Sequence, residues 1–352
     1  MSVTARKFGV LPTGEEVTIY KLQNASGAYT EVIDYGAIWV STCVPDKDGK
    51  LTDVTLGYDN IEGYMDNGAF FGAIIGRNGN RIAGAKFSIY GKETVLAQNE
   101  NENNLHSGPN GFEKKMWKVD EVNQERNSVI FNRISPDGEN GFHGEFDISV
   151  QYEFTEENEV RITYQGVCTE PTVANMTNHV YFNLAGEGSG DILNQYLTIH
   201  AKYYTPVVDS KAIPTGEYAE VAGTPMDFNT ATKIGERIDS DFQQLIFGGG
   251  YDHNYVTDNY AEGNIRPIAE AYCEETGIEM QVTTDCPCVQ LYAGNFIGEK
   301  VGKQGHVYLK RHGFCLETQV EPNAINEVDF HSPILEEGET YNSVTTYRFS
   351  VK

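Results

Sequence analysis

Between residues 145 and 154 polar and apolar side chains alternate without a break. Phe146, Ile148, Val150, Tyr152 and Phe154 interleave with Glu145, Asp147, Ser149, Gln151 and Glu153. A period of two cannot wrap one face of a helix, so the stretch is a strand with one wet face. After Thr155-Glu156-Glu157-Asn158 the alternation resumes in Val160, Ile162 and Tyr164, which reads as an antiparallel hairpin. Leu197, Ile199, Ala201 and Tyr203 repeat the pattern, as do Ile278, Met280 and Val282. Helical periodicity is scarce, its best instance being a short stretch near 234–247, and 36 glycines mark many turns. The expected fold is all-β, a large antiparallel β-sandwich with few short helices, because so many half-wet strands must bury their apolar faces against another sheet.

A chain of 352 residues can bury about three quarters of the surface its unfolded form exposes, so a sizeable core needs no disulfide support. With no linker, repeat or low-complexity segment to divide it, a single domain over 1–352 is expected. Twenty-six basic against 51 acidic residues leave a net charge of −25, a field that repels nucleic acid and anionic lipid and disfavours phosphorylated ligands. The favoured partner is a neutral small molecule. The first residues, Met1-Ser2-Val3-Thr4-Ala5-Arg6-Lys7, lack the apolar core of a secretory signal, and no apolar run reaches the roughly 20 residues of a membrane span. The expectation is a cytoplasmic protein in which the six scattered cysteines are reduced, buried thiols. Cys286-Pro287-Cys288 lacks the C-x-x-C spacing, or histidines at set spacing, that zinc sites use.

The familiar catalytic signatures are missing: no phosphate-binding G-x-x-x-x-G-K-[ST] loop, no G-x-S-x-G elbow, no H-E-x-x-H pair. Gly186-Glu187-Gly188-Ser189-Gly190 lacks the flanking strand and helix of a dinucleotide site. Five polar clusters remain: Gly76-Arg77-Asn78-Gly79-Asn80-Arg81, Asn104-Leu105-His106, Thr177-Asn178-His179, Gly250-Tyr251-Asp252-His253 and Leu316-Glu317-Thr318-Gln319. A single histidine on a strand is ordinarily a satisfied structural group, and an aspartate in a glycine-rich turn is ordinarily a turn residue. Glu317 differs, because Gly313-Phe314-Cys315-Leu316 precede it and a carboxylate among apolar neighbours needs a reason. That reason is either a core ion pair with an arginine or chemistry.

Taken together the segments resemble the aldose 1-epimerase family in order and spacing from about Gly36 to Asn326. The resemblance is carried by Val44-Pro45-Asp46, Leu56-Gly57-Tyr58, Ile75-Gly76-Arg77 with Asn80-Arg81-Ile82, and Asn99 followed by Leu105-His106-Ser107-Gly108 and Gly111-Phe112. It continues in Thr177-Asn178-His179-Val180-Tyr181-Phe182-Asn183-Leu184, Ile213-Pro214-Thr215-Gly216-Glu217 and Tyr251-Asp252-His253. It closes with Gln290-Leu291-Tyr292-Ala293-Gly294-Asn295 and Gly313-Phe314-Cys315-Leu316-Glu317-Thr318-Gln319, with Pro322 and Asn326 beyond. The resemblance implies a β-sandwich of the mutarotase-like supersandwich type, Glu317 as general base and His179 as general acid. It places His106, Arg81, Asp252 and Gln290 at sugar-binding positions, with Asn80 and Tyr181 also near the sugar, and it implies no metal and no cofactor. The departures are Asn78-Gly79 for small apolar residues, Ser107 for a common glycine and His143 for a usual proline; none removes a functional side chain, and His143 is expected on the surface.

The implied activity interconverts the α and β anomers of a neutral hexose such as galactose or glucose. Ring opening needs one proton taken from the anomeric hydroxyl and one given to the ring oxygen, roles that suit an ionised Glu317 and a protonated His179. The negative field of the protein is expected to help His179 keep its proton. Trp39, Tyr181 and Tyr292 are candidates for an aromatic floor under the sugar. Two rival readings stay open on sequence: a glycosidase with Glu317 and Asp252 as its carboxylates, and a non-catalytic carbohydrate-binding sandwich. A sugar-phosphate epimerase is disfavoured by the net charge and by the lack of a basic cluster beyond the Arg81 segment.

Overall fold

In the computed structural model, which describes residues 1–352, the 145–154 alternation is the strand Phe146–Phe154. Its side chains alternate strictly between buried and half-buried. The predicted hairpin forms, with Phe146–Phe154 antiparallel to Glu159–Cys168 in unbroken register from Phe146 opposite Cys168 to Phe154 opposite Val160. These two strands lie inside a nine-stranded sheet. The C-terminal strand Thr340–Val351 is inserted in the middle of that sheet, between Glu159–Cys168 and Ile278–Thr284.

Two five-stranded sheets complete the frame. One is a meander of the first five strands, from Ser2–Val10 to Leu51–Asp53. The other runs in the order Ala219–Glu220, Ala201–Tyr204, Asp252–Thr257, Cys288–Tyr292, Cys315–Gln319. The apolar faces of all three meet in one core that includes Leu22 and Val44, Phe146 and Tyr347, Tyr255, Val289, Leu291 and Leu316. The architecture is therefore an all-β antiparallel sandwich, as expected. No helix is long and apolar enough to cross a membrane.

Two local expectations are corrected. The helical stretch near 234–247 resolves into a 3-10 turn, Ile234–Glu236, and a six-residue helix, Gln243–Gly248, which ends on Gly249 in the left-handed conformation. The alternation from Leu197 to Tyr203 is two strands, Tyr196–Ile199 and Ala201–Tyr204, that belong to different sheets. A register shift between Ala201 and Tyr203 changes the phase, so that Tyr204 is the buried ring and Tyr203 only half-buried. All six cysteines are free and buried.

Candidate active site

The strands Asp252–Thr257, Cys288–Tyr292 and Cys315–Gln319 pair so that Asn254, Gln290 and Glu317 stand in one row, with Asp252, Tyr292 and Cys315 in the next. Residues two apart along a strand share a face, so one face of this sheet carries Asp252, Asn254, Gln290, Tyr292, Cys315 and Glu317. The intervening residues Leu291 and Leu316 point the other way, into the core. The phenol of Tyr347, from the middle of the nine-stranded sheet, donates a hydrogen bond of 2.9 Å to the Leu316 carbonyl and braces the Glu317 strand from behind.

His179 comes from another direction. It ends the short strand Thr177–His179, which is antiparallel to Ala73–Ile75. The turn before Ala73 needs a glycine: Gly72 has φ +66°, its N–H donates to the His179 carbonyl at 3.0 Å, and an added Cβ would lie 1.9 Å from the Trp39 carbonyl oxygen. Arg81 opens one strand of another short pair, where Leu105 faces it, and His106 directly follows the strand Asn104–Leu105. Asn80 and His106 both hold positive φ, 59° and 53°.

These elements enclose a cavity of about 170 Å³. All eight residues singled out from the sequence line it: Glu317, His179, Asn80, Arg81, His106, Tyr181, Asp252 and Gln290. At its centre His179 Nε2 lies 3.8 Å from Glu317 Oε1, both side chains almost fully buried. Cys315 Sγ sits 3.5 Å from His179 Nδ1 on the far side of the ring. The Nδ1 of His106 accepts the Asn80 backbone N–H at 3.1 Å, so a neutral His106 presents Nε2–H as a donor. Gln290 Nε2 donates to Asp252 Oδ1 at 2.7 Å.

Arg81 does not pair with Glu317. Its guanidinium makes a two-pronged contact with Glu100, Nε at 2.6 Å and Nη2 at 2.7 Å, so the core ion-pair reading of Glu317 is set aside. Three acceptors in this cavity are instead buried without any donor: Glu317 Oε2, Gln290 Oε1 and Asn80 Oδ1. Such atoms are costly to leave bare, and a ligand rich in hydroxyl donors satisfies them.

Burial is the main influence on the ionisable groups. It pushes Glu317 well above the usual carboxylate range, with Asp252 adding to the rise and Arg81 opposing it. It pulls His179 down to about 4. This corrects the expectation that the field of the protein keeps His179 protonated: losing water costs a buried imidazolium more than a diffuse negative field returns. His106 is also held well below an ordinary histidine by burial and by the charges of His179 and Arg81. For Arg81, burial works against the charge, but Glu100, Asp252 and Glu317 outweigh it and raise the pKa.

Of the three aromatic candidates, Tyr181 and Tyr292 line the cavity and Trp39 does not. Trp39 is fully buried in the core, its indole N–H directed to Thr42 Oγ1 at 2.7 Å. Phe70 and Phe296 line the cavity instead, Phe70 stacking on His179 with ring centres 5.7 Å apart. Sequence reasoning missed both, and it missed Glu100, which looks like one more solvated residue in Asn99-Glu100-Asn101-Glu102-Asn103. Arg77, in the same segment as Arg81, is structural: its guanidinium donates to the carbonyls of Ser135, Pro136, His143 and Gly144. His143 is half-buried and borders a separate cavity rather than solvent alone. His106, His179 and Glu317 bring potential ligand atoms within 4.8 Å of one another, as do Cys288, Glu321 and His331. The residues of the first group line the cavity described above.

Comparison with known proteins identifies the family. The family model described as aldose 1-epimerase matches residues 18–348. The human galactose mutarotase is 40% identical over 352 residues, with 99% of each chain covered. The aldose 1-epimerase of Escherichia coli is 36% identical, with 96% of each chain covered. Among solved structures, an aldose epimerase homologue from C. elegans superimposes with a TM-score of 0.86 at 27% identity, covering 94% of this chain and 98% of that one. The galactose 1-epimerase of Lactobacillus acidophilus does so at 0.84 and 25%, covering 100% and 99%. The chain belongs to the aldose 1-epimerase family.

Proposed function

We propose that this chain, acting as one domain over 1–352, is a mutarotase that interconverts the α and β anomers of neutral aldohexoses such as galactose and glucose. The observation that carries the reading is the Glu317–His179 pair at 3.8 Å, buried in a cavity where Glu317 Oε2, Gln290 Oε1 and Asn80 Oδ1 lack donors. Glu317 takes the proton of the anomeric hydroxyl while His179 Nε2 delivers one to the ring oxygen. The C1–O5 bond opens, the aldehyde carbon turns, and the same two transfers in reverse close the ring on either face.

The pair carries one proton throughout. With a closed ring bound, that proton is on His179 and Glu317 is ionised; with the open aldehyde it is on Glu317 and His179 is neutral. The upward shift of Glu317 and the downward shift of His179 both favour the second arrangement, so burial lowers the energy of the state that follows ring opening. Arg81 and Asp252, with Gln290, Asn80 and His106, hold the sugar hydroxyls, and the rings of Tyr181, Tyr292, Phe70 and Phe296 offer its apolar edge a wall. Asp252, which accepts from Gln290 through Oδ1, is assigned to the sugar hydroxyls rather than to the second carboxylate of a glycosidase. A binding module would have no use for a buried acid–base pair.

A neutral substrate suits a chain of net charge −25, as does the absence of nucleic acid or anionic membrane among its partners, and a cytoplasmic setting suits six free thiols. The test is polarimetry on freshly dissolved α-galactose and α-glucose with chelator-treated protein. Rotation decays faster than the buffer rate without any added cofactor; a decay equal to buffer, or one restored only by a metal, refutes the proposal.

A further inference from the structure

The polar face of the active-site sheet continues past the catalytic row. Opposite one another in the next row stand Cys288 and Gln319, followed beyond the strand end by Glu321. Two residues of strand advance about 7 Å, so this end of the face is a separate place from the proton-transfer pair. Here the Cys288 thiol, a Glu321 carboxylate oxygen and a His331 ring nitrogen lie within 4.8 Å of one another. Cys288 is fully buried, the Glu321 side chain is wholly inaccessible, and His331 keeps about a third of its surface in solvent.

An ion pair accounts for only part of this. Glu321 accepts from His331 Nδ1 at 2.9 Å and from the Tyr218 phenol at 2.7 Å, and the edge-on Tyr260 ring, 4.8 Å away between centres, fixes the imidazole plane. None of these contacts uses the thiol. The thiol itself lies against the side chains of Glu321 and Asn254, and beside it Gln319 Oε1, from the residue opposite, is buried without a partner.

We propose that Cys288, Glu321 and His331 bind a thiophilic divalent cation of the zinc type. One thiolate, one imidazole and one carboxylate form a donor set that zinc prefers over magnesium or calcium, and their combined charge of about −2 balances the ion. Zinc bonds of about 2.0–2.3 Å place tetrahedral ligands some 3.5 Å apart, so closing the cluster takes movements of about 1 Å. His331, partly exposed and outside any strand, already lies 2.9 Å from Glu321 and is the ligand with most room to move. Binding displaces the thiol proton, and the imidazole shifts its proton from Nδ1 to Nε2. Solvent, or the Tyr218 phenol, completes the fourth position. The site would tie the segment after Gln319 to the strand Cys288–Tyr292 of the active-site sheet, leaving the acid–base pair free of metal.

Cobalt(II) is the probe, added to chelator-treated, reduced protein. A thiolate-to-cobalt charge-transfer band in the near ultraviolet is expected, saturating at one equivalent and displaced by zinc. Cys288→Ser abolishes the band, His331→Ala weakens cobalt binding at least tenfold, and Cys286→Ser leaves it intact. Zinc raises the melting temperature of the parent but not of His331→Ala, whose half-exposed side chain can be removed without emptying the core. Mutarotation by Cys288→Ser stays near the parent rate, which separates this site from the catalytic one. Absence of the band in the parent, its persistence in Cys288→Ser, or an equal zinc-induced melting shift in His331→Ala overturns the proposal.

Discussion

The acid limb of the pH–activity profile reports directly on the burial of His179. The active pair holds one proton, so activity is lost at low pH when a second proton binds the imidazole while Glu317 is already protonated. Burial lowers the His179 pKa from 6.5 to about 4, a difference worth about 3 kcal/mol against the imidazolium. The sign follows: a depressed base pKa moves the acid limb to lower pH. At pH 5.5 a pair limited by a pKa near 4 keeps about 97% of its activity, whereas one limited by an ordinary histidine near 6.5 keeps about a tenth. The assay is kcat/KM for galactose by polarimetry from pH 3.5 to 9, with the buffer rate subtracted and each sample returned to pH 7 to confirm that it is still folded. Loss at high pH follows ionisation of Glu317 without a proton on His179, and the raised Glu317 pKa displaces that limb upward. A midpoint of the acid limb between 6 and 7 refutes the argument, since it would mean that the imidazole titrates as it does in water.

Two substitutions examine the frame around the pair. Arg81→Ala removes a charged donor and leaves Glu100 without its partner, so KM for galactose rises roughly tenfold or more, with a smaller fall in kcat because Arg81 also helps Glu317 ionise; unchanged steady-state constants would remove Arg81 from the site. Gly72→Ala forces a Cβ to within 1.9 Å of the Trp39 carbonyl at a φ of +66°, at a cost of about 3 kcal/mol or more. Scanning calorimetry should register a fall of roughly 4 °C or more in melting temperature, and a melt within 1 °C of the parent would contradict the packing described.

The alternating strands were the most legible part of the chain, because half-wet strands announce their inner face with every second residue. The 145–164 hairpin and the 278–284 strand follow directly from that rule. The rule fails where the chain changes sheets. Nothing in the spacing of Leu197, Ile199 and Ala201 signals that His200 separates two sheets, since the decisive contacts are with distant strands. The eight candidate site residues were picked out through family resemblance, and the structure brings all eight to one cavity. Their neighbours were not. Glu100 finds Arg81 from 19 residues away in sequence, Phe70 reaches His179 from a loop position at positive φ, and Trp39 is not at the sugar floor but in the core, its indole N–H directed to the Ser41 carbonyl and the Thr42 hydroxyl. The charge of His179 was misjudged for a similar reason: net charge is visible in composition, whereas desolvation is a property of the fold.

The central claim is that Glu317 and His179 exchange protons with the sugar rather than merely hold it. Stopped polarimetry on Glu317→Gln, His179→Asn and the double variant, beside the parent at pH 7, tests it most directly. Each single change should lower kcat by about 10² to 10⁴, or roughly 3 to 5 kcal/mol of barrier, with KM changed much less. The double variant should lose less than the product of the two, because both groups serve one ring-opening step. Single variants that keep near-normal kcat and show only a raised KM would make both residues ligands, and the account would be wrong.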